Sequence, residues 1–181
     1  MTPPRLIGLA GFKGTGKTTI ANILGEYNYA LFKFAKPLKD MLRALGLTEA
    51  EIEGSLKELP SSLFCNRSPR YLMQTLGTEW GRNLIGADLW VNLWEQQVKK
   101  VLQASIDNCV VVDDCRFPNE FEKVWKLGGE IWLINRPNTS SEDGHSSESF
   151  INFCNPKVII SNNSTIEELR EEINLLVKYV D

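Results

Sequence analysis

The sequence is poor in the residues that build metal sites and covalent cross-links. It has one histidine in 181 residues, and its four cysteines are scattered without a C-x-x-C pair. A zinc site and a disulfide framework are therefore not expected, and reduced thiols in a cytoplasmic protein are the default. No apolar run approaches the length of a membrane span, and too few residues precede the first apolar run for a signal peptide.

The sequence also lacks an excess of positive charge. Its formal net charge is -3, so no overall basic field points to nucleic acid or to a membrane surface as a partner. The content of hydrophobic residues is 43% and that of charged residues 24%, which is ordinary for a globular protein. The length suits a single domain spanning residues 1–181.

One stretch, residues 11–18, fits the phosphate-binding pattern G-x-x-x-x-G-K-S/T. The apolar run of residues 6–10 precedes it as a buried strand would, and a helical pattern follows and stops at Gly25. Glycines let successive backbone N–H groups converge on one anion, and the helix N-terminus adds partial positive charge. A chance glycine-rich turn is the alternative, but the order of strand, loop and helix favours a P-loop.

The P-loop pattern assigns roles to its side chains. Lys17 is expected to reach the β- and γ-phosphates of ATP, and the hydroxyl of Thr18 to ligand Mg²⁺. The predicted nucleotide-binding residues are Gly11, Lys13, Gly14, Thr15, Gly16, Lys17, Thr18 and Thr19.

Short apolar runs alternate with helical patterns along the chain. The predicted strands cover residues 6–10, 30–34, 109–112, 130–134 and 157–160. This alternation predicts an α/β fold with a mostly parallel five-stranded sheet and helices on both faces. The block of about 37–104 is too long for a plain crossover and is interpreted as an inserted helical lobe. Residues 136–156 are rich in Asn, Ser and Gly and are interpreted as a lid-like loop.

A predicted helix over residues 69–84 carries a polar stripe. Arg70, Gln74, Thr78 and Arg82 follow one another at intervals of four residues. Apolar residues cover the opposite side, namely Leu72, Met73, Leu76, Trp80 and Leu84. Gly77 and Gly81 fall within or beside the stripe, so either a ligand or a neighbouring helix should approach closely there. The stripe is thus either an arginine clamp for a phosphate or carboxylate, or a solvated face.

Two carboxylates end the apolar run of residues 109–112. Asp113 and Asp114 would lie at the carboxyl edge of the sheet, where a P-loop protein needs an acid for its Mg²⁺ shell. Arg116 and Glu120 follow closely enough to border the same site. A structural ion pair is the alternative reading of this cluster.

Arg136 begins the lid-like loop and could bring positive charge to a transferring phosphoryl group. The lone histidine, His145, lies in the same loop, where a solvated residue is the ordinary interpretation. Trp90 and Trp94 are interpreted as packing residues rather than as a stacking platform for a base.

The P-loop pattern alone leaves several classes of protein open. No N-K-x-D stretch for reading guanine is present, which weighs against a GTPase switch. Two hypotheses remain: a kinase for a small acceptor, which could also be a sugar or a coenzyme precursor, and a non-kinase P-loop protein acting as a nucleotide-binding switch.

The chain resembles the phage-type deoxynucleoside monophosphate kinases well beyond the P-loop. The similar blocks occur in family order at residues 34–39, 69–82, 86–91, 114–120, 128–129, 136–137, 145–148 and 160–165. The resemblance implies a P-loop kinase fold with an acceptor-binding helical lobe. It also implies phosphoryl transfer from ATP, with Mg²⁺, to a deoxynucleoside 5′-monophosphate in the cytoplasm, that of the host if the source is viral.

The resemblance assigns the remaining site residues. Catalytic roles fall to Lys17, Asp114, Arg116, Glu120 and Arg136, and metal binding falls to Thr18 and Asp114. Acceptor-binding roles fall to Lys36, Arg70, Gln74, Thr78, Arg82, Trp90, His145 and Glu148. Two positions depart from the pattern: Asp113 replaces a small polar residue and so competes with Asp114 for the metal, and Ser164 replaces a glycine. Whether the protein is a homodimer is left open.

Overall fold

The structure, a computed structural model, describes residues 3–137, 139 and 153–178. The chain divides into two compact units. We call residues 1–33 and 95–181 the sheet unit, and Phe34–Trp94 the helical unit. Most of the helical unit falls within the lobe predicted at about 37–104. Helix α5, Leu89–Ala104, begins in the helical unit and ends in the sheet unit.

Five parallel strands form one sheet in the part of the chain that the structure describes. They are β1 Leu6–Ala10, β2 Tyr29–Leu31, β3 Cys109–Val112, β4 Glu130–Asn135 and β5 Val158–Ser161. Their order across the sheet is β2-β3-β1-β4-β5, and every neighbouring pair is parallel. The predicted parallel α/β sheet is confirmed, although β2 is shorter than the 30–34 run that the sequence predicts.

Helices cover both faces of the sheet because side chains alternate along each strand. On one face, Ile7 and Leu9 share a buried cluster with residues of α1 (Lys17–Gly25) and α7 (Ile166–Lys178). On the other face, a Cβ added to Gly8 would lie 3.4 Å from Val124 of α6, the helix Pro118–Lys126. The predicted helices on both faces are confirmed.

The helical unit has a small core of its own. Its elements are α2 Lys36–Ala44, α3 Glu49–Ile52, the 3₁₀ turns Ser55–Glu58 and Ser62–Phe64, α4 Pro69–Gln74, a π-helix Thr75–Ile85 and the start of α5. Leu42, Leu47 and Ile52 are buried together, and Leu72 and Leu76 pack against them. Among the described residues, no helix is both long enough and apolar enough to cross a membrane.

The π-helix corrects the prediction of one α-helix over residues 69–84. Its end is marked by a bond from the Gly86 amide to the Gly81 carbonyl, an i→i+5 contact of 3.0 Å. This wider turn changes the angle between successive side chains, so a face drawn at about 100° per residue is not maintained. Trp80 and Leu84, expected on the apolar side, are 37% and 77% exposed. The predicted apolar face is therefore wrong at these two residues.

Candidate active site

The glycine loop joins β1 to α1 and has the backbone that the motif predicts. Gly11 and Gly16 have φ angles of 148° and 104°, in the region that only glycine adopts readily. A side chain would also collide there. A Cβ would lie 2.6 Å from the Ile134 carbonyl oxygen at Gly11, and 2.4 Å from Asn162 Nδ2 at Gly16. Both glycines are thus required by conformation and by space.

The centre of the loop is held by a hydrogen bond within the loop and by one from the residue that follows β5. Thr15 is fully buried, and its hydroxyl donates to the Phe12 carbonyl at 2.9 Å. From the residue after β5, the buried Asn162 amide donates to the Thr15 carbonyl at 2.8 Å. Asn162 is a site residue that the sequence analysis missed, and its position at a strand's carboxyl end was the available signal.

The Lys17 ammonium rests on the loop itself. It donates to the carbonyl oxygens of Gly11 and Phe12 at 2.7 and 2.8 Å. These contacts keep a positive charge on the glycine loop, where a phosphate-binding lysine is needed. Among the other predicted nucleotide-binding residues, Lys13, Gly14 and Thr18 are exposed and Thr19 is half-buried.

Asp113 contacts the start of α1. Its Oδ2 accepts the Thr18 hydroxyl at 3.1 Å and lies 3.2 Å from Lys33 Nζ. Side chains alternate along β3, and Val111, two residues before Asp113, belongs to the cluster under α1. Asp113 is therefore a candidate for the metal-side carboxylate beside Asp114, and its contact with Thr18 depends on the face that α1 covers, which the sequence does not show.

The other carboxylate oxygen of Asp113 has no hydrogen-bond partner among the described residues, although it is buried. A buried, unpaired carboxylate oxygen is costly unless a ligand completes it. With the Thr18 hydroxyl beside it, this oxygen suits a hard divalent cation, which prefers oxygen ligands. In the described ranges, no three or more His, Cys, Asp or Glu side chains are grouped so that they could hold a metal ion by themselves. Mg²⁺ needs only one or two carboxylates when phosphates supply the rest.

Glu120 braces the turn between β3 and α6. It is 2% exposed, and its Oε2 accepts the backbone N–H groups of Arg116 and Phe117 at 2.7 and 3.0 Å. This carboxylate shapes the turn from which the exposed Arg116 side chain projects. Burial, and then the Glu120 charge, raise the pKa of the intervening Cys115 thiol well above its usual value, so this thiol is not a nucleophile.

Arg136 lies beside the glycine loop. It follows β4, is exposed, and its Nη1 donates to the Gly14 carbonyl at 3.4 Å. Most of the predicted lid-like loop, including His145 and Glu148, lies outside the described residues.

The basic side chains predicted to bind an acceptor lie in the helical unit and have partners there. Arg70 Nε is 3.3 Å from Glu58, and Arg82 Nη1 donates to the Ala87 carbonyl at 3.3 Å. Lys36 pairs with Asp40 at 2.5 Å on the surface. Of the two remaining stripe residues, Gln74 is half-buried and Thr78 is exposed.

Trp90 contacts both glycines that fall within or beside the polar stripe. Its indole N–H donates to the Gly77 carbonyl at 2.8 Å, and a Cβ at Gly81 would lie 2.5 Å from its ring. Trp90 is 4% exposed, in agreement with the packing interpretation of the sequence. The close approach that the glycines predicted is made at Gly81 by the Trp90 side chain, whereas a Cβ at Gly77 would lie 3.4 Å from Leu38, an ordinary contact distance.

Known proteins of one family are similar to this chain in sequence. The sequence profile of the family described as deoxynucleotide monophosphate kinase matches residues 62–173. A protein of Acanthamoeba polyphaga mimivirus, named within that family, is 31% identical over 93% of each chain. The deoxynucleotide monophosphate kinase of Enterobacteria phage T4 is 24% identical, over 96% of this chain and 99% of its own.

Among solved structures, TT1252 from Thermus thermophilus is similar with a TM-score of 0.54 and 18% identity, covering all of both chains. At this identity the likeness supports the fold alone. The profile match and the mimivirus relative go further, and together with the P-loop geometry they confirm the resemblance seen in the sequence: the chain belongs to the deoxynucleotide monophosphate kinase family.

Proposed function

We propose that this protein transfers the γ-phosphoryl group of ATP to the phosphate of a deoxynucleoside 5′-monophosphate, giving the diphosphate. The observation that carries the proposal is the glycine loop, which holds the Lys17 ammonium on its own carbonyl groups and whose Thr18 hydroxyl donates to a buried acid, Asp113. A lysine, a hydroxyl and an acid are the parts that P-loop phosphotransferases use. Family membership supplies the acceptor class.

The donor phosphates would be bound by the sheet unit. The N–H groups of the glycine loop and the N-terminus of α1 offer an anion site. The Lys17 ammonium would exchange its two carbonyl acceptors for phosphate oxygens. Arg136, whose guanidinium already contacts Gly14, would add positive charge beside the transferring group.

Thr18 and Asp113 would hold Mg²⁺, and the unpaired oxygen of Asp113 supports this assignment. When bound, the ion neutralises charge that develops on the β- and γ-phosphates. The carboxylate oxygens of Asp113 would be held in position for the ion, because the side chain is held by Thr18 and Lys33. Arg116 would serve the transferring phosphoryl group, and Glu120 would hold Arg116 in position through the turn.

The acceptor would be bound by the helical unit, which we propose to be the monophosphate-binding lobe of a single kinase domain. Arg70 and Arg82 would bind its phosphate, since a guanidinium group can donate two parallel hydrogen bonds to a phosphate. Lys36, Gln74 and Thr78 would contribute further polar contacts. Trp90 would act through packing, because its ring is buried. The cytoplasmic location stays a prediction from the sequence, which leaves open whether the protein is a homodimer.

A coupled assay of ADP release tests the proposal, with ATP, Mg²⁺ and each common deoxynucleoside monophosphate in turn. We expect ADP release that depends on at least one of these acceptors. Lys17→Ala should lower kcat on the order of 10³-fold, because one charged donor to the transition state is lost. Lys126→Ala, at an exposed ion pair of α6, is the control for loss of a surface charge.

Release of ADP with a sugar or a coenzyme precursor, but with no deoxynucleoside monophosphate, would replace the proposed acceptor. Tight nucleotide binding without any acceptor-dependent turnover would favour a switch protein. Near-normal turnover in Lys17→Ala, with its fold checked by circular dichroism, would remove the glycine loop from the mechanism.

A further inference from the structure

Lys33 was absent from the residues that the sequence suggested, yet it reaches the edge of the predicted metal site. It lies two residues beyond β2, and the Phe32 amide extends that strand's pairing by donating to the Val111 carbonyl at 2.9 Å. The chain is thereby carried along β3 to its carboxyl end. Lys33 Nζ lies 3.2 Å from the same Asp113 oxygen that accepts the Thr18 hydroxyl.

The burial of the two charges is unequal. The Asp113 side chain is 2% exposed, whereas the Lys33 side chain is 25% exposed. A carboxylate so buried needs a counter-charge, because an unpaired buried charge is strongly destabilising. Lysine supplies this charge from a flexible stem that can swing toward water or phosphate. One Asp113 oxygen still has no partner among the described residues, so the lysine satisfies the carboxylate only in part.

We propose that Lys33 is a resident counter-ion of the metal site, a positioning residue that acts through Asp113. Its ammonium neutralises the carboxylate while no divalent cation is bound, and it competes with that cation for Asp113. Removal of this charge should therefore strengthen cation binding. The inference rests on the proposed function only in naming the cation as the Mg²⁺ that accompanies ATP.

A purely structural ion pair makes the opposite prediction. In that case Lys33 only holds Asp113 in place, and its removal would loosen the carboxylate and leave cation binding unchanged or weaker. The sign of the change in cation affinity therefore separates the two roles. A loss of stability alone does not, because both roles predict it.

The experiment measures binding of Mn²⁺ alone to the full chain without nucleotide, by electron paramagnetic resonance of the free ion. Lys33→Met should bind Mn²⁺ more tightly than Lys126→Met. The control also loses one positive charge from an ion pair, but the side chains of that pair, Lys126 and Glu122, are 64% and 60% exposed. We expect the Mn²⁺ dissociation constants of the two variants to differ on the order of 10-fold. This factor lies between those given by the interaction energy of two unit charges at this distance in water and in a partly buried site.

Two further variants complete the test. Asp113→Asn should abolish the tighter binding when it is combined with Lys33→Met, because the competed ligand is removed. Lys33→Arg keeps the charge and should bind Mn²⁺ as the wild type does. Thermal unfolding of each variant without metal checks that the compared proteins are folded.

Affinity in Lys33→Met that is equal to or weaker than that of Lys126→Met would overturn the inference, as would tight binding that persists without Asp113. The acceptor-dependent ADP assay, run on the same preparations, keeps this result separate from the proposed function. Acceptor-dependent turnover without tighter Mn²⁺ binding in Lys33→Met would reject the proposed role of Lys33 and leave the proposed function intact. The affinity change without turnover supports the cation site and rejects the kinase assignment.

Discussion

The sheet unit and the helical unit hold their candidate site residues in different ways. Among the described residues, the buried polar side chains are Thr15, Asp113, Glu120 and Asn162, and all of them belong to the sheet unit. The polar candidates of the helical unit are exposed or half-buried, and Lys36 and Arg70 pair with surface carboxylates. Buried polar groups that are held by hydrogen bonds make a preformed site, whereas exposed ion pairs are worth only about 0–1 kcal/mol each.

This difference indicates that the proposed ATP site and the proposed acceptor site are organised to different degrees before their substrates bind. The glycine loop that would bind ATP is held before the nucleotide arrives, because the buried side chains of Thr15 and Asn162 donate hydrogen bonds to its backbone. Arg70, which would bind the acceptor, can leave the exposed Glu58 at little cost. The following four predictions sharpen or break the contrast, from the largest expected effect to the smallest.

The first prediction concerns the two adjacent acids after β3. Asp113→Asn should lower kcat about 100-fold or more, because the carboxylate beside Thr18 loses its charge. Asp114→Asn is the matched control and should have the smaller effect. Both are measured by ADP release at saturating substrates. A larger loss in Asp114→Asn would return the metal role to Asp114 and contradict the importance of the buried contact.

The second prediction tests the packing of the helical unit. Gly81→Ala should destabilise the protein by about 1–3 kcal/mol, because the added Cβ would lie 2.5 Å from the Trp90 ring. Gly25→Ala is the control, since nothing lies within 4 Å of its added Cβ. Chemical denaturation gives both free energies of unfolding. Equal stability of the two variants would mean that the indole can move aside.

The third prediction tests the support of the glycine loop from β5. Asn162→Asp replaces the donor to the Thr15 carbonyl with a carboxylate, so the KM for ATP should rise about tenfold, as for loss of one buried hydrogen bond. The KM for the acceptor should change little. Asn163→Asp adds the same charge at the exposed neighbouring residue and should leave both constants nearly unchanged. Equal effects of the two variants would reduce the role of Asn162 to general electrostatics.

The fourth prediction concerns Arg82 in the helical unit. Arg82→Ala should raise the acceptor KM about tenfold at most and leave the KM for ATP unchanged, because a charge-assisted contact to phosphate is lost. Arg67→Ala is the matched control: this arginine lies over the ring of Tyr71. Steady-state kinetics in both substrates separate the effects. An unchanged acceptor KM would make the stripe a solvated face.

Prediction from sequence worked where structure is set by neighbours along the chain. The glycine loop between Leu6–Ala10 and Lys17–Gly25, and the parallel strands, depend on local backbone conformation and short apolar runs. Prediction from periodicity was less accurate in residues 69–84, because it assumed i→i+4 bonding throughout. The switch to i→i+5 after Gln74, and the contact of Trp90 with Gly77, depend on packing between helices.

The sequence by itself thus determined the fold class, the family and the glycine loop. Each of them can be recognised from short stretches of neighbouring residues along the chain. Only the tertiary structure decided which acid contacts Thr18, and it brought in Lys33 and Asn162. These contacts span 95 residues from Thr18 to Asp113 and 147 from Thr15 to Asn162. The reason is geometric: strand order and the face that α1 covers decide which side chains meet at the carboxyl edge of the sheet, and neither is encoded by local spacing.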